Sequence, residues 1–255
     1  MKEEVIKTVA SEILSSHQTW VESSGKQGNR ASFMHIDFTG ITFEAELSGA
    51  TFTNCNLTKA TFKGKIVKDI QFTNCNLSEA KLMFTEVKNI TIEGCNLSFI
   101  KLEKVHFEGG VFRKINATEA FFIKSFFAET LFSECKFSKS NFSSSALSKL
   151  TIERSEFLAC DFAYCNFFEG RFIESSFQSS DFHSAEFNKT RFIKSDFTGL
   201  TTFDGAKFKS VNAEECKWSE GFDKGKINDF KKKNFLVKNM KGIIFYLFNL
   251  AQCSI

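Results

Sequence analysis

The chain has 255 residues with 33 Lys and Arg against 30 Asp and Glu, so its bulk charge points neither to nucleic acid nor to a strongly anionic surface. It holds 34 phenylalanines against two tyrosines and two tryptophans, and no proline. Missing proline suits a backbone whose N–H groups are nearly all needed in ladder hydrogen bonds.

At the N-terminus, MKEEVIKTVASEIL mixes charge into its apolar positions and lacks the continuous apolar core of a secretory signal. The expected location is therefore cytoplasmic, the alternative being delivery to a host cell by a non-Sec route. Val5, Ile6, Val9, Ile13 and Leu14 recur at helical spacing within residues 5–21. The spacing predicts a short amphipathic helix and linker over 1–32, capping the region that begins at Phe33.

From Leu47 to Phe197 every fifth residue is Leu, Phe, Val or Ile, with Ala117 the one exception; 31 positions share this register and 19 are Phe. A period of five smears over every face of an α-helix and alternates sides in a straight strand. It fits a chain that turns a corner within each five. Two residues before the large centre stands, in most repeats, a small one, as at Ala50, Cys55, Ala60, Cys75, Ala80, Cys95, Ala120, Ser125 and Cys135. Centre and centre-minus-two face inward, and the other three positions face out.

FTNCNL recurs at 52–57 and 72–77, so four fives make one coil and residues 20 apart stack. One predicted core column runs Phe52, Phe72, Ile92, Phe112, Phe132, Ile152, Phe172, Phe192. A second, Asn56, Asn76, Asn96 and Asn116, is expected to form an amide ladder between coils. The step is four between Phe43 and Leu47 and six between Phe197 and Phe203, which predicts a tightened corner and a bulge. Lys65 falls at an inward position. About 38 centres predict a rod of roughly nine and a half coils and ~45 Å, at ~4.8 Å per coil.

Runs such as ATFTNCNLTKATFKG (50–64) and CDFAYCNFFEGRFIE (160–174) resemble the pentapeptide-repeat family, over about Phe33 to Trp218. HQTWVESSGKQGNRASF (17–33) is similar to the lead-in H-x2-W-L-x3-G-x2-G-x-R-A-x-L of bacterial members. The resemblance implies an all-β, right-handed quadrilateral parallel β-helix over 33–218, with short α-helical caps. The chain departs from the family in its heavy use of Phe at the centre and its few Asp or Asn before it.

The tail, 219–255, carries seven Lys and three Asp or Glu, whereas 33–218 carries 22 basic and 23 acidic residues. Its longest apolar run, IIFYLF at 243–248, is far short of the ~20 residues a bilayer needs. Leu236, Met240, Ile243, Ile244 and Leu247 share one helical face. Three readings are open: a cap for the last coil, a dimer contact of the kind the resemblance suggests, or a basic amphipathic membrane helix.

Seven of the eight cysteines, Cys55, Cys75 and Cys95 among them, fall at centre-minus-two, so the lattice explains their spacing without metal or disulfide. No C-x2-C pair, phosphate-cradling loop or paired acid site appears. No catalytic residue, cofactor or metal is expected, and a filled rod offers no cleft. What remains is surface: Met83, Phe84, Phe121, Ile123, Phe126 and Phe168 map to outward slots on two adjacent sides, as an interaction surface would. The expected function is a non-enzymatic interaction rod for a protein partner, with no direct binding of nucleic acid. The resemblance adds a second reading, since well-known members mimic DNA, bind gyrase and protect it from quinolones or toxins. A mimic should be strongly acidic, and the repeat region has one net negative charge. An effector or membrane-associated role is the third reading, resting on the basic tail.

Overall fold

The computed structural model of the chain describes residues 2–84, 86–226, 233–238 and 244–249. Strands of two or three residues follow one another every five residues, with the large centre buried between outward neighbours. The corner is made two residues after the centre. There the backbone is left-handed, with φ between 45° and 60° at non-glycine residues from Asn54 to Glu215. Such backbone costs a non-glycine residue roughly 1–2 kcal/mol. The turn offsets this by carrying the corner N–H to the next coil, as from Asn54 to the Thr73 carbonyl (2.9 Å) and from Asn74 to that of Glu93 (2.8 Å).

The result is a four-sided parallel solenoid of about nine turns. Its first face stacks ten strands from Ser32–Met34 to Asn212–Glu214, aligning Phe33, Phe52, Phe72, Ile92, Phe112, Phe132, Ile152, Phe172, Phe192 and Ala213. The predicted core column is this one. The fourth face stacks eight strands from Ile66–Lys68 to Lys207–Lys209. The second and third faces, centred on residues such as Leu57 and Phe62, are held largely by single bridges, among them Asn56–Asn76 and Lys101–Phe121. Every centre from Leu47 to Phe197 is buried. Phe rings stack coil upon coil, as in Phe122, Phe142, Phe162, Phe182 and Phe203 with centroids 4.7–5.0 Å apart.

The small inward residues do more than fill space. Ser125, Ser145 and Ser180 donate their hydroxyls to the carbonyls of Leu102, Phe122 and Phe157 on the preceding coil (3.0, 2.8 and 2.7 Å). Their oxygens also accept backbone N–H groups, as Ser145 does from Ser125 (3.1 Å). These buried hydroxyls are therefore satisfied, which is why Ser substitutes freely for Ala and Cys in this slot. The seven described cysteines are buried, and Cys55, Cys75, Cys95, Cys135, Cys160 and Cys165 are free thiols. Burial pushes the thiols of Cys160 and Cys165 up to about 12, away from the thiolate that reacts or binds metal.

The irregular steps fall where expected. The first coil is 19 residues long, Phe33 pairing with Phe52; the last is 21, Phe192 pairing with Ala213. The extra residue is Leu200, looped out to 88% exposure, and Thr201 takes the inward slot, its hydroxyl reaching the Phe177 carbonyl at 3.1 Å. The asparagine column differs from the expected ladder. Asn96 does donate to Asn76 Oδ1 (3.1 Å), but Asn56 and Asn76 donate to Thr39 and Thr58 hydroxyls (both 2.9 Å). Their Oδ1 atoms accept from the N–H two residues on, at Thr58 and Ser78. These are Asx turns, and closing the corner takes precedence over pairing amides.

Helix α1 spans Lys2–Glu22, with Ala10, Ile13 and Leu14 packed on the core. The lead-in motif is a latch. His17 is fully buried and its Nδ1 accepts the Ala31 N–H at 3.1 Å. Trp20 stacks on His17 (5.6 Å), and Arg30 Nε bonds the Gly49 carbonyl. Burial, aided by Arg30 and opposed by Glu46 and the Ser48 backbone, lowers the His17 pKa below 6.5. Folding thus favours the neutral ring, so this contribution to stability is present above pH ~6.5 and is lost as pH falls below it. The protection of the amides of residues 9–22, measured relative to the intrinsic exchange rate at each pH, should fall between pH 7.5 and 5, as Nδ1 protonation breaks the Ala31 bond. Equal protection across that interval would refute the assignment.

At the other end Trp218 stacks on Phe197 (4.8 Å), and Phe222 stacks on Trp218 (4.4 Å), so the start of the tail covers the last coil. The predicted tail helix is not what forms. Lys233–Lys238 and Ile244–Asn249 pair antiparallel, with Phe235 opposite Leu247, Leu236 opposite Tyr246 and Lys238 opposite Ile244. Leu236, Ile244 and Leu247 therefore share no helical face, and Met240 and Ile243 lie outside the described residues. The β-branched and aromatic content of NFLVK and IIFYLFN outweighs an accidental helical spacing.

Candidate interaction surface

The outward positions of each face form columns one coil apart. On the third face the residue before the centre runs Lys81, Lys101, Phe121, Asn141, Asp161, Asp181 and Thr202. The residue after the centre includes Lys63, Met83, Glu103, Ile123 and His183. Phe126 opens the strand Phe126–Ala128 on the fourth face, across the Lys124 corner from Ile123.

Of the six predicted surface residues, three come together. Phe121, Ile123 and Phe126 are half-buried on adjoining faces of one coil, and the Phe126 ring meets His106 edge-on at 4.6 Å. Met83 is exposed at 57%, two coils away with Glu103 between. Phe168 stands apart on the far edge of the fourth face, under the Lys189 ammonium at 5.3 Å.

Phe84 is a correction, being buried at 4%. It and Lys65 have a common cause. Residues 45, 64 and 84 occupy one edge on successive coils, and all three lack the left-handed corner found elsewhere. With the corner unrolled, Phe84 turns in over Gly64, where a Cβ would lie 3.1 Å from its ring, and Lys65 is exposed instead of inward. The four-residue step between Phe43 and Leu47 starts this irregular edge, which encloses a groove of about 300 Å³ lined by Glu44, Glu46, Lys63, Lys65 and Phe84.

Sequence reasoning missed Phe99, a corner residue in left-handed backbone and 45% exposed. Its place two after a centre marks it as outward. With Lys59, Glu79, Lys81, Lys101 and Phe121 it lines a shallow groove of about 620 Å³ where the second and third faces meet. Aromatic rings and lysine stems offer apolar contact there, and the ammonium groups offer charge. Among the described residues no group of three His, Cys, Asp or Glu is placed to hold a metal ion, and no helix is long and apolar enough to cross a membrane.

The family model for pentapeptide repeats matches residues 31–64 and 160–199, with eight copies. Between those segments the same five-residue register continues without a break. The chain is a pentapeptide-repeat protein. No curated protein matches it in sequence. Among solved structures it is similar to HetL, a pentapeptide-repeat protein involved in heterocyst differentiation regulation in the cyanobacterium Nostoc sp. strain PCC 7120. That likeness has 14% identity and a TM-score of 0.45 over 75% of this chain and 88% of HetL. It is also similar to full-length QnrB1, a plasmid-mediated fluoroquinolone resistance protein, at 17% identity and a TM-score of 0.35 over 72% of this chain and 94% of that one.

Proposed function

We propose that this pentapeptide-repeat protein is a non-enzymatic rod that presents its third and fourth faces to a protein partner. The observation carrying this reading is the partly exposed group Phe99, Phe121, Ile123 and Phe126, set among lysines in mid-rod. Isolated exposed apolar residues are ordinary, whereas a contiguous group rimmed by charge suits a protein interface. A body filled by stacked Phe holds that group on a rigid frame, so little ordering is needed on binding.

The test compares affinity capture by the full chain and by Phe121→Ser/Phe126→Ser, with Leu158→Ser, exposed on the second face, as control. A bound protein should be recovered by the parent and the control and fall at least tenfold with the double variant. Undiminished recovery of every bound protein by a correctly folded double variant would defeat the reading.

A further inference from the structure

Charges on most of this rod follow a simple rule: opposite signs sit one coil apart and pair. Lys149 meets Glu129 at 2.8 Å, Lys189 meets Glu169 at 3.1 Å, and Lys207 meets Glu186 at 2.6 Å. Where like charges stack on other faces, as Lys68 on Lys88 and Arg171 on Arg191, one member of each pair meets an acid within the chain. Lys88 reaches Glu86 at 2.8 Å and Arg191 reaches Glu214 at 3.1 Å. The third face has like charges without that compensation. Lys81 bridges Lys101 directly, and Asp161 bridges Asp181. Like charges placed opposite one another across a ladder are unfavourable. Among the described residues none of these four makes an ion pair within the chain. The aspartates do cap corners, their Oδ1 atoms accepting from Ala163 (2.9 Å) and His183 (2.7 Å). Asn141 caps its own corner in the same way, accepting from Ser143 at 2.8 Å. The corner thus asks for an amide or carboxylate oxygen, and does not account for two stacked negative charges.

The two halves of the column are arranged about a midpoint. In order they read Lys81, Lys101, Phe121, Asn141, Asp161, Asp181, and the centre lies between Phe121 and Asn141. Consider a second copy laid face to face and antiparallel, related by a two-fold axis in the interface that crosses the rod at that midpoint. Such an axis preserves position across the face and reverses position along it. Lys101 of each copy then meets Asp161 of the other, Lys81 meets Asp181, and Phe121 meets Asn141. On the flanking corner Glu119 meets Lys139 by the same operation. Glu103 falls against Ala163 and Lys104 against Tyr164, so no like charges are brought together. Self-complementarity under one two-fold is the signature of an isologous dimer.

We infer that the third face is an antiparallel homodimer interface, the occupant being a second copy of this chain. This rests on the proposed function in one respect, that it names the partner of the face assigned there. Each unpaired lysine of the first half gains an aspartate from the second half of the partner copy, and the Phe121 rings are covered near the dyad. The face is about 40 Å long and ~10 Å wide, from coil and residue spacings. With its flanking corners it buries on the order of 1,000 Å² over both copies, at the low end for specific association. The dimer is therefore reversible and depends on salt.

The test is sedimentation velocity of the full chain from ~5 to ~500 µM at low and high salt, with four further samples. Lys81→Glu/Lys101→Glu makes the column wholly acidic, and Asp161→Lys/Asp181→Lys makes it wholly basic. Asp161→Asn/Asp181→Asn keeps the corner acceptor while removing charge, which guards against loss of folding in the lysine variant. The fourth sample mixes the acidic and basic variants in equal amounts. The parent should form a dimer that weakens at least tenfold in high salt, the acidic and basic variants should each be monomeric, and their mixture should dimerise. The asparagine variant should dimerise at least tenfold more weakly than the parent. A parent that stays monomeric throughout, or a dimer indifferent to both the glutamate and asparagine variants, overturns the inference. Capture lost with Phe121→Ser/Phe126→Ser while the parent is monomeric would leave the face as the site of a different protein, so the two readings fail separately.

Discussion

Phe142→Ala should cost about 3–5 kcal/mol of stability, as deletion of a buried Phe ring does. Phe142 is 1% exposed and stacks between Phe122 (4.7 Å) and Phe162 (5.0 Å), with Phe137 edge-on at 5.4 Å and Phe157 tilted at 5.9 Å. The backbone around it is fixed by ladders to the coils on either side, Phe142 N–H donating to the Asp161 carbonyl at 2.8 Å. The walls of the cavity are therefore held apart and cannot collapse into it. Phe142→Leu should cost roughly 1–1.5 kcal/mol, the range for swaps that nearly conserve volume; Leu already serves as a buried centre at Leu102 on the same face and at Leu147 on the next. A solenoid coil touches only its neighbours, so stability is close to a sum of coil and interface contributions. Urea unfolding of Phe142→Ala should consequently broaden, with a lower slope, as the halves on either side of the cavity uncouple. A loss below about 1 kcal/mol with an unchanged slope would mean the core repacks, contrary to a rigid stack of rings.

Much of this was legible in the sequence, and the reason is physical. A period of five is incompatible with both regular elements, so the corner, the inward pair and the stacking distance all follow from Phe52, Phe72 and their like without reference to any structure. The 19- and 21-residue coils follow from the steps at Phe43 and Phe197 in the same way. What escaped is what the period does not encode. Phe84 sits in an outward slot by counting, yet it turns inward because the corners at 45, 64 and 84 are not left-handed. Spacing fixes which residue lies at a corner but not its backbone conformation. The tail fails for a related reason: five apolar residues matched a helical face by chance, while β-branched and aromatic content pointed to strand. The charge pattern of the third face was visible as a run of lysines followed by aspartates. Its symmetry emerges only when Lys81, Lys101, Asp161 and Asp181 are placed on one column.

Gly28→Ala should unlatch the N-terminal helix. Gly28 has φ +72°, and a Cβ there would stand 2.2 Å from the Ser16 carbonyl oxygen and 2.7 Å from the Trp20 nitrogen. Both are backbone atoms of α1, so neither can swing aside. Relief requires α1 and the 23–31 segment to separate, which breaks the Asn29 N–H bonds to Ser16 and the Ala31 N–H bond to His17. Left-handed strain and overpacking together cost about 2–5 kcal/mol. That is enough to release a helix of 21 residues, which alone in water is only marginally stable. Gly40→Ala is the control, since φ is +71° but nothing lies within 4 Å of its Cβ; it should cost only the strain, about 1–2 kcal/mol. Hydrogen exchange read residue by residue separates the two. In Gly28→Ala the amides of residues 9–22 should lose protection while those of the Phe132 and Phe172 strands keep theirs, because coils far from the cap feel only their neighbours. With the first coil uncovered, Phe33, Phe38 and Phe43 become the end of an open parallel ladder, and association through that end should follow. Equal protection of residues 9–22 in the Gly28 and Gly40 variants would show that the close approach of Gly28 to α1 does not hold the latch.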